Sequence, residues 1–301
     1  MNTLIIDGYS IAYRSFYAFN TLVTSTGLLS GCVYGFLTCI RTRKKKHADC
    51  QVIVAWDNDS LRKKAVFPAY KENRSKVGIH PQIADLKEML TAMNITQAEC
   101  LGEEADDVIA TLVDKHSASG IVYILTSDKD LMQLVEDGKV ILIRVQSGKD
   151  DKYYDEGAVK EEYGVSPKGI SSFLAFRGDT VDCIPGVPRV RSNVIAGLVN
   201  KYGMPVDVYA SLSRETLTDF ERVSLSGFQR QAFINFDLTQ LKKDLILSEK
   251  VGASNPEKLK PFLDKYQIRK IDPESYVGEF ERITTFCNRT YDLPSLFDLE
   301  E

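Results

Sequence analysis

Thr3-Leu-Ile-Ile-Asp7 decides the fold, because this short apolar run ends in a carboxylate. Apolar runs of about 4–8 residues are typical of buried strands. Val52–Asp57 and Val122–Asp128 repeat the pattern. Helix-like patterns lie between these runs, over Leu29–Arg43, Gln82–Met93 and Ala105–Lys115. This alternation predicts an α/β fold in which a parallel sheet is flanked by helices.

The pattern changes after about Asp155, where proline and glycine begin to separate helical segments. Val140–Val145 predicts a last strand at an edge of the sheet. The predicted helices that follow are Glu156–Tyr163, Lys168–Phe176, Asn193–Lys201 and Gly227–Lys243. We therefore expect an α/β region over residues 1–155, with an irregular insertion at about 58–85, and a mostly helical region over residues 156–301.

The composition excludes several classes of protein. The chain has 301 residues, of which 44% are hydrophobic and 27% charged, as in ordinary globular proteins and unlike collagen-like or disordered chains. No apolar stretch approaches the length of a membrane span, and no basic segment precedes an apolar run at the N-terminus. Six cysteines are scattered without a C-x-x-C pair. We expect reduced thiols and a cytoplasmic location, in a bacterium or in the host of a bacteriophage.

The net charge of −4 taken alone argues against a nucleic-acid binder. The charges are nevertheless unevenly distributed. Arg41–His47 carries five basic residues among seven, and the segment from Asn58 to His80 carries six basic residues against two acidic ones. Solvated surface loops are the alternative interpretation of both basic segments.

Three of the apolar runs end in an aspartate, namely Asp7, Asp57 and Asp128. The carboxyl ends of parallel strands meet at one edge of a sheet, so these side chains should converge there. A single aspartate at such a position is usually a helix cap, and Asp128 is a good candidate for one. Three at corresponding strand ends exceed what capping requires.

Further acidic residues cluster in the same way. Glu104 and Asp107 share a face at the start of a predicted helix, where compensation of the helix dipole is the alternative interpretation. Asp128 with Asp130 and Asp179 with Asp182 supply two more close pairs. Oxygen-rich sites of this kind suit Mg²⁺ or Mn²⁺ rather than zinc. Two such ions support the hydrolysis of phosphodiesters.

These motifs, in this order, resemble the 5′-nuclease superfamily, which includes the N-terminal domain of bacterial DNA polymerase I, bacteriophage 5′-exonucleases and flap endonucleases. The resemblance covers residues 3 to about 205 and weakens up to about 247. Its matching stretches are Ile6–Arg14, Phe67–Arg74, Glu104–Ala110, Ser127–Leu134 and Gly178–Val187. It implies a PIN-like sheet with a helical arch at about 58–85, followed by a DNA-binding region of the helix–hairpin–helix type.

The resemblance also implies roles for individual residues. The residues that match the first metal site are Asp7, Asp57, Glu104 and Asp106. Those that match the second site or its support are Asp107, Asp128, Asp130, Asp179 and Asp182. Tyr70, Lys71 and Arg74 match the arch, which holds a single-stranded 5′ end and places basic groups on the reacting phosphate. Arg14 matches a basic residue behind the first aspartate.

One motif departs from the family pattern. Arg189 and Arg191 stand where the hairpin usually has two glycines, and Cys183 replaces an asparagine. Glycine permits positive φ and close approach of the backbone, which arginine does not permit cheaply. We therefore do not expect the potassium site of the family hairpin. We expect both arginines to contact duplex phosphates directly, with an exposed turn as the alternative.

The expected function is that of a metal-dependent 5′→3′ exonuclease and flap endonuclease acting on branched or nicked DNA and on RNA–DNA hybrids, in replication or repair. A catalytically inactive DNA-binding protein and a PIN-type ribonuclease are the alternatives. The resemblance implies a monomer, and a stand-alone nuclease is expected because no polymerase region follows in this sequence. Leu293–Phe297 loosely resembles peptides that dock on sliding clamps, although a packed chain end is favoured.

Overall fold

The computed structural model of the protein describes residues 1–73, 78–146 and 149–281. A seven-stranded sheet forms its centre, in the order β6-β5-β4-β1-β2-β3-β7. The strands are β1 Thr3–Asp7, β2 Gln51–Ala55, β3 Thr96–Glu99, β4 Val122–Thr126, β5 Val140–Arg144, β6 Lys152–Tyr154 and β7 Ser248–Lys250.

The predicted parallel pairing is correct for β1, β2, β4 and β5. The inner strand β3, which pairs parallel with β2, was not predicted, and the two outer strands are not parallel. β6 pairs antiparallel with β5, and β7 pairs antiparallel with β3. β5 is therefore an internal strand, not the expected edge. Each outer strand has only three residues, which is too short to produce a recognisable pattern in the sequence.

The described residues form twelve α-helices. These are α1 Gly8–Ala18, α2 Gly31–Lys46, α3 Leu61–Val66, α4 His80–Ala92, α5 Ala105–His116, α6 Glu156–Tyr163, α7 Ile170–Arg177, α8 Ser192–Tyr202, α9 Pro205–Ser211, α10 Asp219–Thr239, α11 Pro256–Lys265 and α12 Pro273–Glu281. The start of α10 lies eight residues before the predicted Gly227, because Thr218 and Glu221 form a capping box there. In the part of the chain that is described, no helix is long and apolar enough to cross a membrane.

Helices cover both faces of the sheet, and β1 shows why. Successive side chains of a strand point to opposite faces, so Ile5 joins one core while Leu4 and Ile6 join the other. The core on the Ile5 side includes α5 and the helices from α6 to α10. The core on the other side includes α1, α2, α4, α11 and α12. The chain after residue 247 thus returns to the sheet through β7 and packs on the opposite face.

Candidate active site

A cleft of about 560 Å³ opens at the carboxyl ends of β1, β2 and β4. Parallel pairing sets this arrangement, since Asp7 at the end of β1 lies opposite Ala55 at the end of β2. Five of the predicted acidic residues line the cleft: Asp7, Asp57, Glu104, Asp106 and Asp128. The convergence expected from three strand ends is therefore present.

Asp7 is held in place by two hydrogen bonds. Its carboxylate accepts from the backbone N–H of Ser10 at 3.1 Å, which caps α1, and from the hydroxyl of Thr126 at 2.7 Å. Burial, followed by the nearby charge of Asp57, raises the pKa of Asp7 to about 7. Asp57 in turn accepts from the N–H of Ala105 at 2.9 Å, which joins the end of β2 to the start of α5.

Asp106, like Asp7, is buried next to another carboxylate. Burial and the charge of Asp128 raise its pKa well above the ordinary value. Carboxylates that repel one another in this way are stabilised by a cation placed between them. The donor set consists of oxygen atoms only, which fits a hard divalent cation.

Glu104 lies in the same cleft but has cationic partners. Its carboxylate accepts from Lys63 at 2.7 Å and from the Tyr70 hydroxyl at 3.0 Å, and it also pairs with Lys71. Burial alone would raise the pKa of Glu104, yet the two lysines outweigh it and hold the pKa below the usual range. All three partners belong to the segment predicted as the arch.

A second acidic group consists of Asp130, Asp179 and Asp182. One carboxylate oxygen from each lies within 4.8 Å of the others, so the three could hold a metal ion. Burial and the charge of Asp128 raise the pKa of Asp130 to about 8. Its Oδ1 atom is buried without a hydrogen bond, and Lys129 approaches it only to 3.7 Å. The N–H of Asp130 donates to Asp128 at 2.8 Å, which connects this group to the cleft.

Two glycines shape the loop that carries Asp179 and Asp182. Gly178 has a φ of +75°, and a Cβ atom there would lie 2.4 Å from the Gly186 nitrogen. A Cβ atom on Gly186 would lie 2.0 Å from the carbonyl oxygen of Arg177. The two backbone segments are therefore in direct contact, and only glycine fits at this approach.

The predicted site residues Asp107 and Arg14 belong neither to the lining of the cleft nor to the second acidic group. Asp107 is fully buried and accepts from Arg62 and from the Lys242 N–H, both at 2.8 Å. Arg14 lies on α1 where its charge acts on the Cys39 thiol of α2. Arg74 lies outside the described residues.

Tyr70 matches the arch that holds a single-stranded 5′ end, but its side chain is only 3% exposed. It packs with Ile184 and Leu238, and its hydroxyl group donates to Glu104. In this structure Tyr70 therefore connects the arch to the acidic group and is not available for stacking.

The basic segment after Arg41 does not border the cleft. It forms the C-terminal end of α2, shortly before β2 begins at Gln51. The segment therefore lies at the amino end of β2, whereas the cleft lies at the carboxyl ends of the strands. Arg41 pairs with Glu279, Arg43 with Asp151, and Lys44 donates to the carbonyl groups of Ala48 and Cys50. These contacts hold the basic end of α2 against neighbouring parts of the fold.

Arg189 and Arg191 are exposed before and at the start of α8. Arg189 has a φ of 55°, so arginine adopts here the left-handed conformation that glycine favours. Its guanidinium carbon lies 5.7 Å from the centroid of the Phe220 ring.

The family model for the 5′-3′ exonuclease N-terminal resolvase-like domain matches residues 2–164. The chain belongs to the 5′-3′ exonuclease family. It is 32% identical to a 5′-3′ exonuclease of Aquifex aeolicus over 291 residues, which cover 94% of this chain and 96% of that relative. It is 34% identical to DNA polymerase I of Pseudomonas aeruginosa over 263 residues, which are 84% of this chain and 28% of the polymerase. The match thus spans less than a third of that polymerase.

Solved structures share the exonuclease fold. The flap endonuclease D15 of bacteriophage T5, in a complex with DNA and metal ions, aligns with a TM-score of 0.62 at 17% identity, over 95% of this chain and 100% of that chain. The catalytic core of Rad2 in complex with DNA aligns with a TM-score of 0.57 at 14% identity, over 93% and 92% of the two chains.

Several residues of this candidate site could not be found from the sequence. Lys63, which is buried against Glu104, is in the sequence only one member of a basic segment. Lys129, between Asp128 and Asp130 in the sequence, pairs with Asp179. Tyr9, Tyr13 and His80 line the cleft, although no sequence pattern assigned them to it. The available signal was the position of Tyr9 and Tyr13 within the Asp7 motif and of His80 within the predicted arch.

Proposed function

We propose that the chain is a metal-dependent 5′→3′ exonuclease and structure-selective flap endonuclease. It would hydrolyse phosphodiester bonds at the 5′ ends and branches of DNA and in RNA–DNA hybrids, in replication or repair. The observation that carries this proposal is the convergence of five carboxylates, from three strand ends and the start of α5, in one open cleft. Membership of the 5′-3′ exonuclease family supports the polarity.

The acidic residues divide into two candidate metal groups. We assign the first ion to Asp7, Asp57, Glu104 and Asp106, and the second to Asp128 with Asp130, Asp179 and Asp182. Asp107 is left out, because Arg62 and the Lys242 N–H already occupy its two oxygens. Mg²⁺ or Mn²⁺ bound here would activate a water molecule and stabilise the departing oxygen.

The side chains of the protein contribute orientation and charge. Thr126 and the Ser10 N–H fix the Asp7 carboxylate, and the Ala105 N–H fixes that of Asp57. Lys71 lines the cleft and brings a positive charge to the place where a phosphate group would react. Arg74 is proposed for the same task on the strength of the resemblance alone.

The duplex would be bound outside the cleft. We assign phosphate contacts to Arg189 and Arg191, which are exposed before and at the start of α8. A potassium ion is not part of this proposal. A sliding clamp or polymerase partner rests only on Leu293–Phe297, which lies outside the described residues. A monomer in the cytoplasm is consistent with this function.

The test is a cleavage assay on four substrates, namely a 5′-flap duplex, a nicked duplex, an RNA–DNA hybrid and a matched 3′-flap duplex. We expect hydrolysis of the first three with Mg²⁺ or Mn²⁺, and none in EDTA. The single-stranded 3′ flap should not be removed from the fourth substrate. Binding without cleavage under every condition would instead support an inactive DNA-binding protein, and cleavage confined to RNA would support a ribonuclease.

A further inference from the structure

Lys129 is a cationic side chain at the second acidic group, and the metal assignment gives it no role. In the sequence it stands between Asp128 and Asp130. Its ammonium group pairs with Asp179 and lies 3.7 Å from the Oδ1 atom of Asp130. These two carboxylates, together with Asp182, are the three whose oxygens lie within 4.8 Å of one another. Lys129 therefore approaches two of the three candidate ligands of one metal ion.

The Asp179 carboxylate is held in place by the backbone around it. Asp179 and Ile184 exchange two backbone hydrogen bonds, at 2.7 and 2.8 Å, which close the loop between them. The N–H of Val181 donates to the Oδ1 atom of Asp179 at 2.9 Å, and the Oδ2 atom faces Lys129. The direction of this carboxylate is thus set by backbone contacts on one oxygen, while the other oxygen is directed at the lysine.

The Lys129 side chain has more freedom than the carboxylates it meets. It is 30% exposed, whereas the side chains of Asp130 and Asp179 are 14% and 9% exposed. A lysine carries its charge on a flexible four-carbon stem and hydrates its ammonium group strongly. The ammonium group can therefore turn towards solvent while the carboxylates keep their positions.

Lys71 is another cation near the second acidic group, and its position differs from that of Lys129. It lies 3.8 Å from the Oδ2 atom of Asp182, but it also pairs with Glu104 of the first group. Lys71 is therefore shared between the two groups. Lys129 pairs within the second acidic group, so its charge acts at the place where the second ion would bind.

A lysine ammonium group and a divalent cation are attracted by the same carboxylate oxygens and repel each other. We propose that Lys129 is a built-in counter-ion that competes with the second divalent cation for Asp130 and Asp179. It lowers the affinity of the second acidic group for Mg²⁺ or Mn²⁺, so that occupancy of this site follows the concentration of the free ion. This inference rests on the two-ion site of the proposed function.

The test is the binding of Mn²⁺ in the absence of nucleic acid, measured by isothermal titration calorimetry. Wild type is compared with Lys129→Met and with Lys129→Arg. Because a nearby positive charge is removed, Lys129→Met should bind the weaker Mn²⁺ ion about 10-fold more tightly. Lys129→Arg keeps the charge and should resemble wild type. Equal or weaker binding by Lys129→Met would overturn the inference.

Two controls locate the effect. Lys139→Met removes an exposed lysine that pairs with Glu136 on the surface, and it should leave Mn²⁺ binding unchanged. Asp179→Asn removes the carboxylate for which lysine and metal compete. Lys129→Met should therefore give no further gain when it is combined with Asp179→Asn. A gain of the same size in that combination would contradict the proposed competition.

Thermal unfolding provides a second readout if the variant is less stable. Without Lys129 the carboxylates of the second acidic group repel one another, so Lys129→Met should melt below wild type in EDTA. Because it binds Mn²⁺ more tightly, its melting temperature should rise more than that of wild type in the same Mn²⁺ concentration. A smaller or equal rise would overturn the inference.

These measurements separate the inference from the nuclease proposal, since they use no substrate. Tighter Mn²⁺ binding by Lys129→Met supports the inference even if no substrate is cleaved and the nuclease proposal fails. Metal-dependent cleavage by wild type, together with unchanged Mn²⁺ binding by Lys129→Met, refutes the inference and leaves the nuclease proposal standing. Absence of Mn²⁺ binding in wild type would refute both.

Discussion

Glu104 and Asp106 are two residues apart at the start of α5, yet their pKa values move in opposite directions. Lys63 and Lys71 outweigh the burial of Glu104, so the ionised carboxylate is stabilised. Burial and the charge of Asp128 raise the pKa of Asp106, and the charges of Lys71 and Lys63 do not offset them. The local set of charges, not the residue type, decides which carboxylate needs a cation.

The ion pair of Lys63 predicts a large effect on stability. Its side chain is 4% exposed and contacts Glu104 at 2.7 Å. Lys63→Met removes the most buried cationic partner of Glu104 and leaves only Lys71 to compensate its charge, so it should lower the free energy of unfolding by about 3 kcal/mol. Urea denaturation measures this loss in the free energy of unfolding.

Lys64→Met is the control for this change, because Lys64 pairs with Asp59 on the surface, where both side chains are more than 40% exposed. Lys64→Met should lower the free energy of unfolding by less than about 1 kcal/mol. Equal losses in the two variants would show that Lys63 is not a structural partner of Glu104.

The two arginines before α8 predict a change in DNA binding. Removing one protein–phosphate interaction should reduce the slope of log K against log salt by about 0.9, so Arg189→Ala with Arg191→Ala should flatten the slope by about 2. The measurement is duplex affinity at several salt concentrations. Lys258→Ala with Lys260→Ala removes the same charge from exposed positions on α11 and should leave the slope nearly unchanged. A slope retained by the arginine variant would argue for a merely exposed turn.

At the residue scale, the acidic cluster could be predicted from sequence and its cationic partners could not. Asp7, Asp57 and Asp128 follow apolar runs, so strand direction alone places them together. Lys63 and Lys64 are adjacent and alike in the sequence, whereas one is buried and the other exposed. The two lysines differ only in the folded structure, where Lys63 packs against Glu104 and Lys64 faces solvent.

At the scale of elements, α6 is attached to the edge of the sheet through Glu162. This carboxylate accepts from Lys152 at 2.6 Å, from the Tyr154 hydroxyl at 2.7 Å and from Arg144 at 3.0 Å. Burial raises the pKa of Glu162, but these hydrogen bonds outweigh it and lower the pKa to about 2. The network explains how a three-residue strand, β6, remains in place.

This network predicts a dependence of stability on pH. Because the folded-state pKa lies below the ordinary value of 4.5, the stabilisation is present above pH 4.5 and is lost as the pH falls toward 2. Glu162→Gln should cost up to about 1 kcal/mol at pH 7, since solvent screens this partly exposed group. Urea denaturation between about pH 2.5 and 7 should show the difference from wild type shrinking with acid. The exposed neighbour Glu161 provides the control, Glu161→Gln, and a difference independent of pH would contradict the account.

Two glycine substitutions, one in the loop between α7 and α8 and one within α8, should change the free energy of unfolding in opposite directions. Gly186→Ala places a methyl group 2.0 Å from the Arg177 carbonyl oxygen and should lower the free energy of unfolding by about 2–3 kcal/mol. Gly197→Ala in α8 meets no atom within 4 Å and should raise it by about 0.5–1 kcal/mol. Urea denaturation of both variants tests whether the backbone at Gly186 lies this close to the Arg177 carbonyl group. Similar values for the two would mean that the backbone segments do not touch.

At the scale of the whole molecule, the acidic clusters and the basic end of α2 lie at opposite ends of the strands. The acidic clusters lie at the carboxyl ends of the strands, whereas the basic end of α2 lies at the amino end of β2. The strand–helix alternation is sufficient to predict β1, β2, β4 and β5 and the place of the cleft, but not the inner strand β3. It could not predict the return of the chain through β7, α11 and α12, because pairing between β3 and β7 joins residues about 150 positions apart. Long-range pairing of such short strands has no local pattern.

The central claim is that the convergent carboxylates hold the metal ions that cleave the substrate. Its most direct test uses a 3′-labelled 5′-flap duplex with wild type, Asp106→Asn and Asp128→Asn, and with Asp114→Asn, an exposed position on α5, as the control. We predict that wild type and Asp114→Asn release a labelled product with a 5′-phosphate only when Mg²⁺ is present. Asp106→Asn and Asp128→Asn should cleave more than about 100-fold more slowly while binding the duplex as tightly as wild type. Cleavage by wild type in EDTA, or full activity in both of these variants, would contradict the account.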